Sequence, residues 1–468
     1  MKALLQNFSE GGPYLVDVPI PTVTAGKVVI RNECSLVSIG TELMLIDFGE
    51  ATLVGKAIKQ PERVKDVLRK VQVDGLLTTV DAVRSKLSSP IPLGYSCTGR
   101  VVDVAPDVKH LKVGDRVVAN GPHADYCLVP GNLTARVPDE VYPQQAAFTV
   151  VASIAMESLR LAKPAIGETF VVIGVGLIGQ ITVQLLRASG CRVIALDRKD
   201  ARLKLCRQMG VETLKLEDTV AAIAAIDKFS GGRGCDGVIV AASTKSSDPL
   251  RLGAEVLRKR GRMVLVGVAG MDLDRKPFYE KEISFSVSCS YGPGRYDKSY
   301  EDQNQDYPFG FVRWTAQRNF EAILHLLASG DLNVDPLITH RHDFEESPEV
   351  YAKLSRSTEA LGVLFDYQTD ELKVQPKKSI NIKTQSFRAS KPVIGVVGAG
   401  NYATRILVPA LKKANAQLHT LVSIGGVNAS VNGKKFGFSY ASSDFDEILN
   451  NDEINTVFIA TRHNTHAK

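Results

Sequence analysis

Apolar and polar positions change along this chain in short blocks, and one block dominates the pattern. Phe170 to Ile173 is a continuous apolar run that leads directly into Gly174, Gly176 and Gly179. A segment with Ile181, Leu185 and Ala188 on one helical face follows and stops at Gly190. Val193 to Leu196 is apolar again and ends on Asp197. This spacing predicts strand, turn, helix and strand in that order. Apolar runs at 235–242 and 261–267 predict two further strands, and Phe320 to Ser329 a helix. Upstream, residues 1–47 carry short β-rich runs such as Lys27 to Ile30, and 92–104 and 113–118 are short-stranded again. A helical pattern covers about Pro61 to Leu87. Tyr367 to Lys391 is polar without a sustained apolar period, which is linker composition. Strand patterns resume at Val393 to Val397, at about Leu418 to Ser423 and at Ile454 to Ala460. Strands alternating with helices make the chain α/β.

The three glycines before Asp197 have a chemistry of their own. Gly174 permits a tight turn, Gly176 lets a pyrophosphate approach the backbone, and Gly179 lets helix and strand pack closely. Leu177 and Ile178 open the helix, whose free N–H groups and positive dipole end face the phosphates. Asp197 is placed to accept from the adenosine ribose hydroxyls, which favours NAD; Arg198 next to it tolerates a 2′-phosphate, so NADP stays open. A buried helix or a membrane span would also be apolar over 170–186. Three glycines at fixed offsets and an acid closing the next strand argue against both.

Composition narrows the picture. Across 468 residues, 57 basic against 51 acidic side chains leave a net charge of +6, too balanced for a nucleic-acid partner. The start, Met1 to Gly12, has neither the charged end nor the apolar stretch of a signal peptide. Seven cysteines without a C-x-x-C pair suit reduced thiols and a cytoplasmic protein, and no structural zinc motif is present. The basic stretch with Arg63, Lys65, Arg69 and Lys70 reads as a solvated helix face, or as a landing surface for a phosphorylated substrate.

The motifs P-L-G at 92–94, V-G-D-R-V at 113–117 and G-T-E at 40–42 resemble the medium-chain dehydrogenase/reductase superfamily, of the zinc alcohol dehydrogenase type. The resemblance spans about Met1 to Tyr367. It implies a GroES-like β-rich catalytic domain at 1–153, completed by about 325–367, around a Rossmann fold at 154–324. It also places Ala241, Val266 and Gly267 beside the cofactor. The departures concern metal. Where zinc members carry a cysteine before G-T-[DE], this chain has Ile39, and their G-H-E reads Gly94, Tyr95, Ser96. Tetrahedral zinc needs three protein ligands, which isoleucine cannot supply. The four-cysteine lobe is also absent, and Cys34 and Cys97 read as small buried hydrophobes. This half is therefore expected to be zinc-free, with Tyr95 the candidate catalytic donor.

Residues 288–319 crowd Tyr291, Tyr296, Tyr300, Tyr307, Arg295, Arg313, Arg318 and the single tryptophan, Trp314, into a loop-like stretch. Arginine forks bind carboxylate or phosphate, and aromatic faces stack on sugars, so Tyr291, Arg295 and Arg313 are candidate substrate contacts. An oligomer contact is the competing reading, and a homo-oligomer fits it.

After the linker at 368–391, Gly398, Gly400 and Ala403 repeat the dinucleotide turn, and the next strand ends without an acid before Gly425 and Gly426. Either NAD or NADP suits this second site. Together with I-N-T-V-F-I-A-T-R-H-N-T-H-A at 454–467, residues 392–468 resemble the Gfo/Idh/MocA family. The loop ending at His466 would then flank the nicotinamide. A Glu-Lys-Pro motif with that family's catalytic lysine is expected beyond Lys468, so this is a second, incomplete Rossmann fold whose Ile454 to Ala460 face lacks its cover. The union of the two types resembles bacterial bi-domain oxidoreductases associated with cell-surface polysaccharide synthesis. The expectation is an NAD(P)-dependent oxidoreductase on a polar, sugar-like or sugar-nucleotide small molecule. A dinucleotide-binding scaffold or sensor without chemistry is the alternative.

Overall fold

The computed structural model describes residues 1–8, 11–50, 90–354, 357, 359–368, 377–463 and 466. The basic stretch with Arg63, Lys65, Arg69 and Lys70 lies outside the described residues. Along the chain the first strands are β1 (Lys2–Gln6), β2 (Pro13–Asp17) and the long β3 (Lys27–Val37), followed by helix α1 (Ile39–Glu50). After the undescribed stretch come β4 (Ile91–Pro92), β5 (Cys97–Val104), β6 (Arg116–Ala119), β7 (Tyr126–Pro130) and β8 (Thr134–Arg136). Helix α2 (Thr149–Ala162) leads into β9 (Thr169–Ile173), α3 (Leu177–Ala188), β10 (Arg192–Asp197) and α4 (Asp200–Gln208). Then follow β11 (Glu212–Lys215), α5 (Thr219–Ser230), β12 (Cys235–Val240), α6 (Asp248–Val256), β13 (Leu257–Leu265) and β14 (Ser284–Val287).

Strands β9 to β14 form one parallel sheet in the order β11-β10-β9-β12-β13-β14. Parallel sheets survive only when both faces are covered, and β9 obeys this with every residue buried. The alternation of side chains sorts its residues between two cores. Phe170 and Val172 meet α2 and α3 on one face, while Val171 and Ile173 join Leu250 and Ile226 on the other. Strand order reverses at β9, between β10 and β12, so a crevice opens at its C-terminal end where Gly174 sits.

The chain then returns to the first sheet. Helix α7 (Ala316–Ser329) and α8 (Ser347–Leu354) flank β15 (Ile338–Asp343) and β16 (Gly362–Asp366). The last two add to β3, giving the order β15-β16-β3-β5-β6-β8, with β7 also paired to β3. A smaller sheet, β2-β1-β4, packs beside it.

A third region is built on β17 (Ser379–Asn381), β18 (Val393–Val397), β19 (Gln417–Val422), helix α9 (Val427–Phe436), β20 (Tyr440–Ser442) and β21 (Thr456–Ile459), in the sheet order β17-β20-β19-β18-β21. Strand β17 corrects the expectation of a featureless linker. It pairs antiparallel with β20 at the sheet edge, where backbone hydrogen bonds suffice and only Ile380 and Ile382 reach the core. On β21, Val457 and Ile459 are 44% and 54% exposed while Phe458 packs inward. Val427 and Val431 of α9 pack on the apolar core of the first sheet, and the Thr22 N–H donates to the Ile424 carbonyl at 3.0 Å.

Three other local expectations differ. Ala188 is exposed at the last turn of α3, while Ile181 and Leu185 of the expected face are buried together with Thr182, Val183 and Leu186. The helix expected from Phe320 begins at Ala316, since Ala316, Asn319 and Phe320 share its buried side. Residues 288–319 are not a bare loop but contain a helix at Lys298–Gln303, whose N-cap Asp297 accepts from the Ser299 N–H.

Candidate functional site

The crevice is shaped by backbone that tolerates no side chain. Gly174 has φ +89°, and a Cβ there would stand 2.7 Å from the Ala242 backbone. A Cβ on Gly179 would stand 2.0 Å from the Gly174 carbonyl oxygen, so strand and helix meet backbone to backbone. Around Gly176 the space is open, with Arg202 the nearest group at 3.8 Å. Gly176 is also the N-cap of α3 and provides no side-chain acceptor, which leaves the N–H groups at Leu177, Ile178 and Gly179 for a ligand.

Asp197, at the end of β10, is 8% exposed. One carboxylate oxygen accepts from the Val175 N–H at 2.9 Å and the other from the Lys199 N–H at 2.8 Å, with Arg202 at 3.5 Å. Arg198 points into solvent. Ala241, Val266 and Gly267 gather at the same strand ends: the Ala241 N–H donates to Ile173, and those of Val266 and Gly267 to Val240. The structure thus brings together every residue assigned to the first cofactor site.

Tyr95 stands on the first-sheet side and packs against the apolar clusters of both halves. Its hydroxyl donates to Ser38 Oγ at 2.6 Å, and Thr41 also hydrogen-bonds it. Burial raises its pKa, so the phenol keeps its proton at neutral pH. Ile39 packs into a neighbouring core, and Ser96 Oγ turns inward to donate to the Ala147 carbonyl at 2.6 Å. Burial pushes the Cys34 thiol up, while the Cys127 contact and burial raise Cys97. Among the described residues, no group of three or more His, Cys, Asp or Glu side chains is placed to share a metal ion.

Sequence reasoning missed two buried clusters. Glu42 accepts from the Ser38 N–H at 2.7 Å and from the Tyr351 hydroxyl, with His123 Nε2 at 3.2 Å. His123 Nδ1 lies 2.7 Å from Ser35 Oγ, which in turn meets the Tyr367 hydroxyl at 2.8 Å. The G-T-E motif pointed to Glu42, but its partners come from 81 and 309 residues away. The second cluster joins α2 to α7. Asn319 Nδ2 donates to Glu157 and to the Tyr291 carbonyl, and its Oδ1 accepts from Arg160 Nε at 3.5 Å. Burial holds the Glu157 carboxyl up at about 7, against the pull of Asn319 and Arg160.

The stretch 288–319 is organised differently from a substrate-facing loop. Tyr291 is 2% exposed, edge-on to Phe320 at 5.4 Å, so it belongs to the core rather than to a surface. Its hydroxyl nevertheless finds no partner among the described residues. Arg295 is paired with Glu301, and Arg318 with Asp306. Only Arg313 remains outward, stacked on Phe309 and Trp314. The three candidate substrate contacts therefore do not form one surface.

In the third region Gly398 has φ +106°, and a Cβ there would stand 2.7 Å from the Ala460 carbonyl oxygen; Gly400 is open and Ala403 buried. The loop where a ribose-binding acid would stand closes on the first sheet instead. A Cβ on Gly426 would stand 2.5 Å from the Pro19 carbonyl oxygen. His466 is exposed, its Nε2 3.2 Å from the Thr461 carbonyl.

Three family models match this architecture in order. They are the alcohol dehydrogenase GroES-like domain at 65–139, zinc-binding dehydrogenase at 178–303, and the oxidoreductase family with an NAD-binding Rossmann fold (Gfo/Idh/MocA) at 393–468. The chain joins a medium-chain dehydrogenase/reductase to a Gfo/Idh/MocA-type Rossmann segment. The medium-chain part is 28% identical over 281 residues to D-guloside 3-dehydrogenase of Escherichia coli, covering 58% of this chain and 75% of that one. It is 24% identical over 355 residues to D-arabitol-phosphate dehydrogenase of Enterococcus avium, covering 66% and 93%. Galactitol-1-phosphate dehydrogenase from Escherichia coli superposes with a TM-score of 0.60 at 18% identity, over 78% of this chain and all of that one, a likeness of fold. No helix among the described residues of this two-part oxidoreductase is long and apolar enough to cross a membrane.

Two predictions follow from this geometry. Replacing Asp197 with Ser removes the charged acceptor at the ribose position, and NAD affinity measured by calorimetry should fall about tenfold. Unchanged affinity would remove Asp197 from the cofactor site. Glu157 keeps in the folded state a proton that the unfolded chain releases near 4.5, so its contribution is fullest in acid and is lost as pH rises to about 7. Glu157→Gln should therefore raise thermal stability by about 2 kcal/mol at alkaline pH and by far less in acid. An equal shift at both pH values contradicts a buried, high-pKa carboxyl.

Proposed function

We propose that the protein is an NAD(P)-dependent, zinc-independent oxidoreductase of the cytoplasm that moves a hydride to or from a polar, sugar-like or sugar-nucleotide substrate. The observation that carries this reading is the position of the Tyr95 hydroxyl. Tyr95 fills the motif position of the family's metal-binding histidine, and its hydroxyl is protonated and joined to the Ser38 and Thr41 hydroxyls. Relatives named for D-guloside and D-arabitol phosphate support a polyhydroxylated substrate. Six buried cysteines and one exposed, none in a disulfide, support a reducing compartment. A place in cell-surface polysaccharide synthesis rests on the resemblance of the two-part chain alone.

The zinc ion usual in this family does not fit the side chains present. Isoleucine has no donor atom, the Ser96 hydroxyl is committed to a backbone carbonyl, and tyrosine is a poor ligand for this ion. The dinucleotide does fit, held by the Gly174–Gly179 turn, the N-terminus of α3 and Asp197, with Ala241, Val266 and Gly267 flanking it. When bound, its nicotinamide supplies the hydride chemistry. Tyr95 then donates a hydrogen bond to the substrate oxygen where negative charge develops, a role that elsewhere falls to the metal. In reduction its proton passes to that oxygen and is replaced from Ser38 Oγ as the phenol turns from it; in oxidation the phenol oxygen takes the substrate's proton while passing its own to Ser38 Oγ, which hands its proton onward, so the phenol stays neutral throughout. Glu42 fixes the Ser38 backbone and so aims the hydroxyl pair. In the third region, Gly398, Gly400 and Ala403 form a second turn for NAD or NADP.

A non-catalytic dinucleotide scaffold is the second reading, favoured by the loss of the metal donors. Turnover separates the two. Full-length protein is screened against sugars and polyols by NADH absorbance, and Tyr95→Phe should lower kcat by about 10²-fold or more while leaving NAD affinity unchanged. Cofactor binding without turnover on any substrate supports the scaffold. Elemental analysis should find well under one zinc per chain, and chelators should leave fold and activity intact. Tightly held stoichiometric zinc would overturn metal independence and direct attention to Cys34, Cys97 and Glu42.

A further inference from the structure

The single tryptophan of the chain is gripped by two cations. The guanidinium carbons of Arg160 and Arg313 lie 3.4 Å and 3.8 Å from the Trp314 ring centroid. The ring's electron density attracts both, yet it does not neutralise them. Arg160 is held down to about 10, chiefly by burial; the Glu157 carboxyl pulls it up and the Arg313 charge pushes it down.

Charge is balanced elsewhere in this region and not here. Arg295 has Glu301 and Arg318 has Asp306. Among the described residues no carboxylate forms an ion pair with Arg160 or Arg313. The acid nearest in charge terms, Glu157, is weakened as a counter-charge because burial lifts its carboxyl to about 7. A half-buried guanidinium without a counter-charge is costly, and an anion bound from solution would relieve that cost.

The stack is also wired to the catalytic side of the cleft. Asn319 hydrogen-bonds Arg160, Glu157 and the Tyr291 carbonyl together. Tyr291 shares an apolar cluster with Tyr95 and Ile154, and its buried hydroxyl has no partner among the described residues. From Ile154 to Arg160 helix α2 advances about 9 Å, on the scale of one sugar ring with a charged substituent.

We propose that Arg160, Trp314 and Arg313 form a subsite for the anionic group, phosphate or carboxylate, of the substrate. This deepens the oxidoreductase reading and relies on it for the place of the sugar; the anion site itself rests on the stack. Arg313 is solvent-facing, whereas Arg160 hydrogen-bonds Asn319.

Because Trp314 is the only tryptophan, its fluorescence reports this subsite alone. Full-length protein is titrated with inorganic phosphate, glucose 1-phosphate, glucuronate and neutral glucose, with chloride holding ionic strength constant. A saturable change with phosphate and with at least one anionic sugar, absent with glucose, is expected. The tighter of the two sugars identifies the anion as phosphate or carboxylate. Arg313→Ala, at the surface and safe for folding, should weaken binding about tenfold or more, and Arg160→Gln should do the same. No saturable change with any anion, or equal affinity in wild type and Arg313→Ala, would overturn the subsite. The outcome is separable from catalysis. An anion-dependent signal without NADH turnover on any substrate sinks the enzyme reading and keeps the subsite, while turnover without a signal does the reverse.

Discussion

The close approach of backbone to backbone at Gly174 is the constraint on which the rest of the crevice depends. The strand must end, reverse and begin a helix within three residues while the next strand's end, at Ala242, presses against the turn. A side chain at Gly174 would need a left-handed backbone and would overlap Ala242 at once; one at Gly179 would overlap the Gly174 carbonyl. With both positions bare, α3 lies low on the sheet and its N-terminus points into the switch point of strand order. The ends of β10, β12 and β13 then supply the walls, and Asp197 reaches back to the Val175 N–H to brace the turn.

Across the cleft, two buried polar clusters show opposite balances. Around Glu42 the charge is met: one backbone N–H, one tyrosine hydroxyl and one imidazole converge on the carboxylate. Such a network stiffens the wall that carries Ser38 and hence Tyr95, since removing one partner would leave a buried polar group unsatisfied. Around Arg160 the charge is met less well, because burial raises the carboxyl of its acid neighbour and its other neighbour is a second cation. The first pattern is that of a support, and the second is that of a site awaiting a counter-charge.

The Gfo/Idh/MocA-type segment shares its surface with the dehydrogenase rather than hanging from it. Helix α9 buries Val427 and Val431 on the first sheet, and the Gly425–Gly426 loop closes against Pro19 and Thr22. That loop occupies the position where a Rossmann fold places its ribose-binding acid, and a glycine is needed where the Pro19 carbonyl intrudes. The missing acid in the sequence thus coincides with a backbone contact between the two parts.

The sequence by itself determined the glycine turn and its crevice, because that turn is written in consecutive residues. Glycine spacing, apolar runs and the acid at Asp197 act through local backbone geometry, and the structure brings all of them together with Ala241, Val266 and Gly267. It also put Ile39, Tyr95 and Ser96 where the motifs of zinc members differ, since donor chemistry is a property of residue type. What only the tertiary structure decided are contacts made across long separations. Nothing local told that Glu42 would meet His123 and Tyr351, that Tyr291 would be buried, or that a polar linker would furnish β17 as an edge strand. Arg313 and Arg295 read alike in the sequence. They differ because folding gave Arg295 a carboxylate and left Arg313 an indole shared with Arg160, and electrostatic balance depends on the neighbours a side chain meets in space, not on those beside it in the chain.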